Sequence, residues 1–261
     1  MKFTKSTGRL SKTRKFLYIC RQFGFDPVSM ARAINNLLWY FRSLRKFLKL
    51  SEHQTLDKLP TLLDKNSQSG SGDGHYFWQD FICAKWIFEQ NPTRHFDVGS
   101  RVDGFIAHLL VFMNVTVLDV RPLEIEIPGL QVLLGNAQKK LDGQVKMHES
   151  VSSLHSIEHF GLGRYGDQLD PSGHYLGLQN ISDCVSDGGH LYVSFPIGHE
   201  NVEFNSQRVV DPLWAVEHLP EFQLEEFVLI PWKGAPILGT TPDQVDKNIW
   251  GQAGLYHFRR L

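Results

Sequence analysis

The chain predicts an α/β fold, a Rossmann-like and mainly parallel sheet preceded by a basic helical extension. Three observations predict it. From about residue 94 onward, short apolar runs alternate with helical stretches, as a parallel sheet with crossover helices requires. Two of the early runs reach turns at Asp97-Val98-Gly99 and Asp119, 22 residues apart, the layout of a nucleotide-type fold that binds ligands beyond the strand ends. The charge is also divided. Residues 1–50 hold twelve Lys and Arg against Asp26 alone (+11), and the net charge of −1 leaves −12 for the remainder.

Length and composition narrow the class. The 261 residues are 42% apolar and 21% charged, enough to bury a core without disulfides or metal. Cys20, Cys83 and Cys184 are odd in number and far apart, which implies neither a bridge framework nor a C-x-x-C site and fits a reducing compartment. No apolar run nears the ~18 residues of a membrane span, and the basic start lacks the apolar segment of a secretory signal. A cytoplasmic protein is expected, with peripheral contact to the inner face of a membrane as an added possibility through the basic arm.

The elements follow in order. Asp26-Pro27 starts a helix, with an N-cap carboxylate and Pro at the first helical position. Met30, Ile34, Leu37, Leu38, Phe41, Leu44 and Leu48 then recur at helical spacing among Arg32, Arg42, Arg45, Lys46 and Lys49. Such a stripe suits a membrane surface, but its commoner use is to face a core, and that is the expectation. Residues 1–63 thus form a basic arm, 64–75 a Ser-, Gly- and Asp-rich linker, and 76–261 the α/β domain. A helix from Tyr76 to Asn91 should bury Phe77, Phe81, Ala84, Ile87 and Phe88 and end before Pro92. Strands are expected at 94–98, 114–119, 130–134, 150–155 and 189–195, and helices near 102–112, 174–186 and 211–219. Phe222–Ile230 and Ala253–Arg259 lack an intervening crossover helix, so they should be antiparallel neighbours. Five parallel strands closed by such a hairpin are the sheet plan of class I methyltransferases.

The first turn, Asp97-Val98-Gly99-Ser100-Arg101-Val102-Asp103-Gly104, bears on the ligand. Gly99 permits close backbone approach, and Ser100 with Asp103 reads as a capping box. Asp119 suits a carboxylate that binds both ribose hydroxyls of an adenosine, and Asn136 stands where the third strand meets its turn. The Gly-x-Gly-x-x-Gly of a dinucleotide site is absent. Asp103 would repel a pyrophosphate, whereas Asp97 and Asp103 would attract the cationic S-adenosylmethionine. The expected cofactor site is therefore Asp97, Gly99, Ser100, Asp103, Asp119 and Asn136, for S-adenosylmethionine as the small-molecule methyl donor.

Beyond the fourth strand, residues 152–174 gather His155, Glu158, His159, Arg164, Asp167, Asp170 and His174 among glycines, more ionisable groups than a connecting loop needs. Methyl transfer mainly requires alignment of an acceptor, and a nearby base can take a hydroxyl proton. His159 is the first candidate base, with Glu158 and His155 as alternates and Asp167 orienting the imidazole. Arg164 and Tyr165, with Asp167, are assigned to the substrate. His155-x-x-Glu158-His159 also matches the inverted zinc-protease pattern, but Gly161 and Gly163 break the helix such a site needs, and no metal is expected there.

The chain resembles the family known as domain of unknown function 268, from about Gly74 to the C-terminus. The resemblance rests on Gly74-His75-Tyr76-Phe77 with Gln79-Asp80, Asp97-Val98-Gly99-Ser100-Arg101, Leu118-Asp119-Val120-Arg121-Pro122, Glu158 through Asp167, Pro196-Ile197-Gly198 and Glu203-Phe204-Asn205. The chain departs from that family at Gln207, where His is usual, and Asn136, where Asp is usual; Arg101 belongs to the family's own turn. The resemblance implies a methyltransferase-like fold, often linked to bacterial surface-polysaccharide genes. A saccharide or glycolipid acceptor is the resulting expectation, with no nucleic-acid partner. The alternative is a non-catalytic binding or scaffold protein in a glycan assembly pathway.

Overall fold

The computed structural model describes residues 12–50, 60–67, 70, 72, 74–124, 126–141 and 147–261. The described residues divide into two compact units, one over 12–70 and one over 72–261.

In the smaller unit, α1 (Lys12–Gln22) and α2 (Pro27–Leu50) are joined at Asp26. Asp26 caps α2 as its sequence predicts, accepting from the backbone N–H of Val28 and Ser29 at 3.1 and 3.2 Å. The stripe expected to face a core does not do so. Met30, Ile34, Leu37, Leu38, Phe41 and Leu48 are exposed, and the described buried residue of α2 is Asn36, whose amide donates to the Leu62 carbonyl at 2.8 Å. Part of the expected linker forms a 3-10 turn at Asp64–Asn66; residues 68, 69, 71 and 73 of it lie outside the described set. No helix among the described residues is long and apolar enough to cross a membrane.

The larger unit begins with α3 (His75–Gln90) and continues β1 (His95–Val98), a π-helical turn (Val102–Ile106) running into α4 (Ala107–Leu109), β2 (Val115–Asp119), β3 (Leu130–Leu134), β4 (His148–Leu154), α5 (Gly173–Ser182), β5 (Val185–Ile197), β6 (Asn201–Glu203), β7 (Gln207–Val209), α6 (Trp214–His218), β8 (Phe222–Ile230) and β9 (Gln252–Arg260). Seven strands form one sheet in the order β3-β2-β1-β4-β5-β9-β8. The first five are parallel, and β9 pairs antiparallel with both β5 and β8. This is the class I methyltransferase sheet.

Alternation along the strands builds two cores. Leu191, Val193, Phe195 and Ile197 of β5 join Leu178, Ile181 and Trp214 in one cluster, while Tyr192 joins Cys83, Ile87, Phe105, Leu109 and Leu255 in the other. A period of two sends alternate side chains to opposite faces, so helices cover both.

Two expectations need correction, and one element is new. Phe77, Phe81 and Phe88 are exposed, and α3 instead buries Gln79, Asp80, Cys83, Ala84, Trp86 and Ile87. Polar contact sets this face: the Ser194 hydroxyl donates to Gln79 Oε1 at 2.7 Å. The helix expected over 174–186 stops at Ser182 because β5 runs back to Val185 through Gly188-Gly189, a pair that reads as a breaker. The β6–β7 hairpin was not anticipated; it matters to the site below.

Candidate functional site

The strand order reverses between β1 and β4, and α/β sheets bind ligands outside the strand ends at such a point. A cleft lies there. Its walls come from the ends of β1 (Val98, Gly99), β2 (Leu118 to Arg121) and β3 (Gly135 to Gln138), and from the loop after β4 (His155, Ser156, His159, Phe160, Tyr165, Asp167). The cavity volume is about 40 Å³, room for a few waters.

The β1 turn is braced from within. Asp97 is fully buried. It accepts from the Ser100 N–H and hydroxyl at 2.9 and 2.6 Å and from the Ser152 hydroxyl at 2.5 Å, while burial pushes its pKa up to about 6. Asp97 and Ser100 therefore shape the turn and do not line the cleft. The expected capping box is absent. Ser100 serves Asp97 and Leu154 N–H, and Asp103 faces solvent, paired to Arg101 at 2.8 and 3.0 Å. Gly99 is the turn residue that reaches the cleft. Its φ is +75°, and a Cβ there would lie 2.1 Å from Ser156 Oγ, so no larger residue fits this crossing of the two walls.

Asp119 lines the cleft at the tip of β2, as its place in the sequence implies, but its carboxylate is already engaged. Oδ1 accepts from Arg121 N–H at 2.8 Å and Nε at 2.9 Å, and Oδ2 from Nη2 at 2.7 Å. The Arg121 guanidinium lies 4.3 Å from the Tyr165 ring centroid, joining the walls. Arg101 turns away, over Tyr76 at 5.3 Å. Asn136 also lines the cleft, its Oδ1 accepting from Gln138 N–H at 2.9 Å.

The opposite wall holds a histidine–carboxylate pair. Glu158 is 2% exposed, and its Oε1 lies 2.7 Å from His155 Nδ1 and 3.8 Å from His159 Nε2. Despite the desolvation that opposes ionisation, the neighbouring histidines hold Glu158 below the usual carboxylate range. A carboxylate on Nδ1 fixes the tautomer with Nδ1–H and leaves Nε2 as a lone pair. His155 Nε2 is buried without a hydrogen-bond partner. The His155 backbone is left-handed, φ +48°, a region uncommon outside glycine that His, Asn and Asp enter more readily than other residues. His75 stacks on it at 5.4 Å with planes 7° apart, and the Tyr76 ring lies at 5.0 Å.

His159 is placed differently from the expected base. Its Nδ1 donates to the Ser206 carbonyl at 2.6 Å, and Arg164 Nη1 lies 3.3 and 3.5 Å from its two ring nitrogens. Burial keeps its pKa below the ordinary value. Arg164 itself donates to the Ser206 carbonyl at 2.9 Å, so it ties the loop to the β6–β7 hairpin and does not line the cleft. Asp167 does not orient an imidazole. It accepts from Gly161 N–H at 2.9 Å and Gln138 Nε2 at 3.3 Å, and Glu158 takes the orienting part instead. His155 and His159 sit around a single 3-10 turn, Ile157–His159, not on the helix that the zinc-protease pattern demands.

Sequence reasoning missed two residues. Arg208, 4% exposed, donates to the carbonyls of Glu158, Phe160, Asp170 and Pro171 at 3.4, 2.5, 3.3 and 3.2 Å and so clamps the whole loop. A lone Arg inside the apolar run Arg208-Val209-Val210 was its only signal. His75, its Nε2 donating to the Gly251 carbonyl at 3.0 Å, is lowered to a pKa of about 4 by burial; its sequence signal is the Gly74-His75-Tyr76-Phe77 motif alone.

The family model described as "Caenorhabditis protein of unknown function, DUF268" matches residues 131–217, about a third of the chain and narrower than the stretch from Gly74 onward. No curated protein matches the sequence. Among solved structures, the chain is similar to the N-methyltransferase NodS from Bradyrhizobium japonicum WM9 in complex with S-adenosyl-l-homocysteine (14% identity, TM-score 0.48, covering 85% of this chain and 98% of that one). It is similar to the methyltransferase domain of bacterial CtHen1-C (13%, 0.49, 70% and 97%). A third is Burkholderia thailandensis 1,6-didemethyltoxoflavin-N1-methyltransferase with bound 1,6-didemethyltoxoflavin and S-adenosylhomocysteine (14%, 0.47, 70% and 78%). Each is a likeness of fold.

Proposed function

We propose that the protein is an S-adenosylmethionine-dependent methyltransferase of the domain of unknown function 268 family, in which His155 accepts the proton of the acceptor group. One observation carries this reading. The cleft at the switch point brings Gly99, Asp119 and Asn136, from the tips of three successive strands, against an imidazole whose Nε2 has no partner. The donor set fits an adenosine. It offers a ribose-binding carboxylate and no phosphate cradle.

Asp119 would hold the ribose hydroxyls once Arg121 swings clear, and Asn136 the neighbouring base. When bound, the donor supplies a methyl group on a sulfonium. Glu158 holds the His155 ring, His155 Nε2 holds the proton taken from the acceptor, and Phe160 and Tyr165 exclude water from that wall. The acceptor we favour is a hydroxyl of a saccharide or glycolipid, presented to a cytoplasmic enzyme. Calorimetry tests the core of this reading. S-adenosylmethionine or its demethylated product binds the native protein, and Asp119→Ala weakens it at least ~10-fold, the loss of one charge-assisted hydrogen bond of roughly 1.5–3 kcal/mol. An absence of heat at millimolar ligand rejects it.

For the arm we propose peripheral contact with an anionic membrane surface. Arg42, Arg45, Lys46 and Lys49 of α2 are interleaved with exposed Phe41, Phe47 and Leu48, a basic and apolar pairing that suits lipid headgroups. The full chain should sediment with vesicles containing phosphatidylserine and stay free of neutral ones; equal behaviour with both removes the idea.

A further inference from the structure

Away from the cleft, one more cluster has donor atoms poised for chemistry. His190 of β5, His257 of β9 and Glu225 of β8 each bring a potential ligand atom within 4.8 Å of the others. The sheet explains the convergence. His257 pairs with Tyr192 and Arg259 with His190, so the two imidazoles are diagonal neighbours on one face. Glu225 falls at the irregularity between Leu224 and Glu226 in β8. A bulge there re-aims a side chain and lets two successive carboxylates approach the same histidines. His190 precedes the β5 residue beside the cleft wall, Ser194, by about 13 Å of strand, so this cluster is separate from the proposed methyl-transfer site.

The ring atoms His190 Nδ1 and His257 Nε2 face each other at 2.9 Å. As an N–H···N bond this is incomplete, because His257 Nδ1 stays buried without a partner; its nearest carboxylate oxygen, Glu226 Oε1, is 3.9 Å away. A tetrahedral ion with metal–nitrogen bonds of ~2.0–2.1 Å sets its nitrogens about 3.3 Å apart, so this pair needs to open by only about 0.4 Å.

The surroundings match those of a metal-bound histidine. Glu226, held by Trp86 Nε1 at 3.1 Å, faces the far nitrogen of His257, where a carboxylate commonly orients a ligating ring. Glu225 Oε1 accepts from Arg259 Nε at 2.8 Å, which fixes the carboxylate and leaves Oε2 for an ion. Arg259 is an opposing charge in the cluster, and Glu226 offsets it.

We propose that His190, His257 and Glu225 bind a late first-row divalent cation, zinc fitting their two-imidazole, one-carboxylate set best, with the fourth position open to solvent beside exposed Glu225. The ion would pin β5, β9 and β8, the three strands that close the sheet.

Chelator-stripped full-length protein, titrated with zinc chloride against a chromophoric chelator, tests this. One equivalent should bind, and cobalt(II) should give the visible bands of a four-coordinate site. Glu225→Gln and His190→Gln, both outside the fully buried core, should each weaken zinc at least ~10-fold, and Glu226→Gln by about 10–100-fold. Circular dichroism of the metal-free variants should match that of the native chain. Native-like zinc affinity in both ligand variants, or no zinc bound by the native chain at micromolar concentrations, overturns the site. Loss of binding in His155→Ala with retention in His190→Gln overturns it too, because the ion is then in the cleft.

Discussion

The two walls of the cleft are built on opposite plans. The β1–β3 wall is made of strand tips, and its polar groups are already engaged within the protein: Asp119 by Arg121 and Asn136 by Gln138. The wall after β4 is an irregular loop clamped from behind by Arg208, and it leaves two buried polar atoms without partners, His155 Nε2 and Glu158 Oε2. An unpartnered buried polar atom costs about 1–3 kcal/mol. Two of them fall in one hydrogen-bonded pair, and one of the two residues, His155, has φ +48°. The first wall thus has its polar groups paired within the protein, whereas the second keeps unpaired ones at its centre.

The largest expected effect tests the second wall. His155→Ala should lower the methyl-transfer rate by about 10²–10⁴-fold, the usual contribution of a positioned base, with donor affinity unchanged in calorimetry. His159→Ala should cost much less, because its Nδ1 is committed to Ser206 and Arg164 lies against its ring. If His159→Ala loses the rate and His155→Ala does not, the assignments of the two imidazoles are reversed.

What the sequence disclosed differs between the walls for a physical reason. Strand tips are fixed by periodicity, so β1, β2, β3, β8 and β9 could be placed within a residue or two, and Gly99, Asp119 and Asn136 with them. The loop advertised its ionisable groups by composition, but which of them face the cleft depends on contacts distant in sequence. Arg208 and the Ser206 carbonyl come from the unanticipated β6–β7 hairpin, and His75 arrives from α3, 80 positions before His155. No local pattern encodes those meetings, so the sequence ranks His159, Glu158 and His155 only by residue type. The same applies to Arg121. It stood two residues from Asp119 in plain view, yet only the strand-end geometry turns its side chain back onto the carboxylate.

Arg121 gives the smaller and sharper test, on the first wall. Its three contacts with Asp119 must be exchanged for ribose contacts if an adenosine is to enter a cavity of about 40 Å³. One of the three is the backbone N–H, which survives mutation. The guanidinium is 48% exposed, so solvent screening holds the ion pair to about 1 kcal/mol or less. Removing it in Arg121→Ala should therefore tighten S-adenosylmethionine by no more than about 5-fold, and Asp119→Ala in the same background should still abolish the gain. A loss of affinity in Arg121→Ala has the opposite meaning: the arginine then belongs to the ligand's own contacts, with Tyr165 as its platform, and the first wall is open in its resting form.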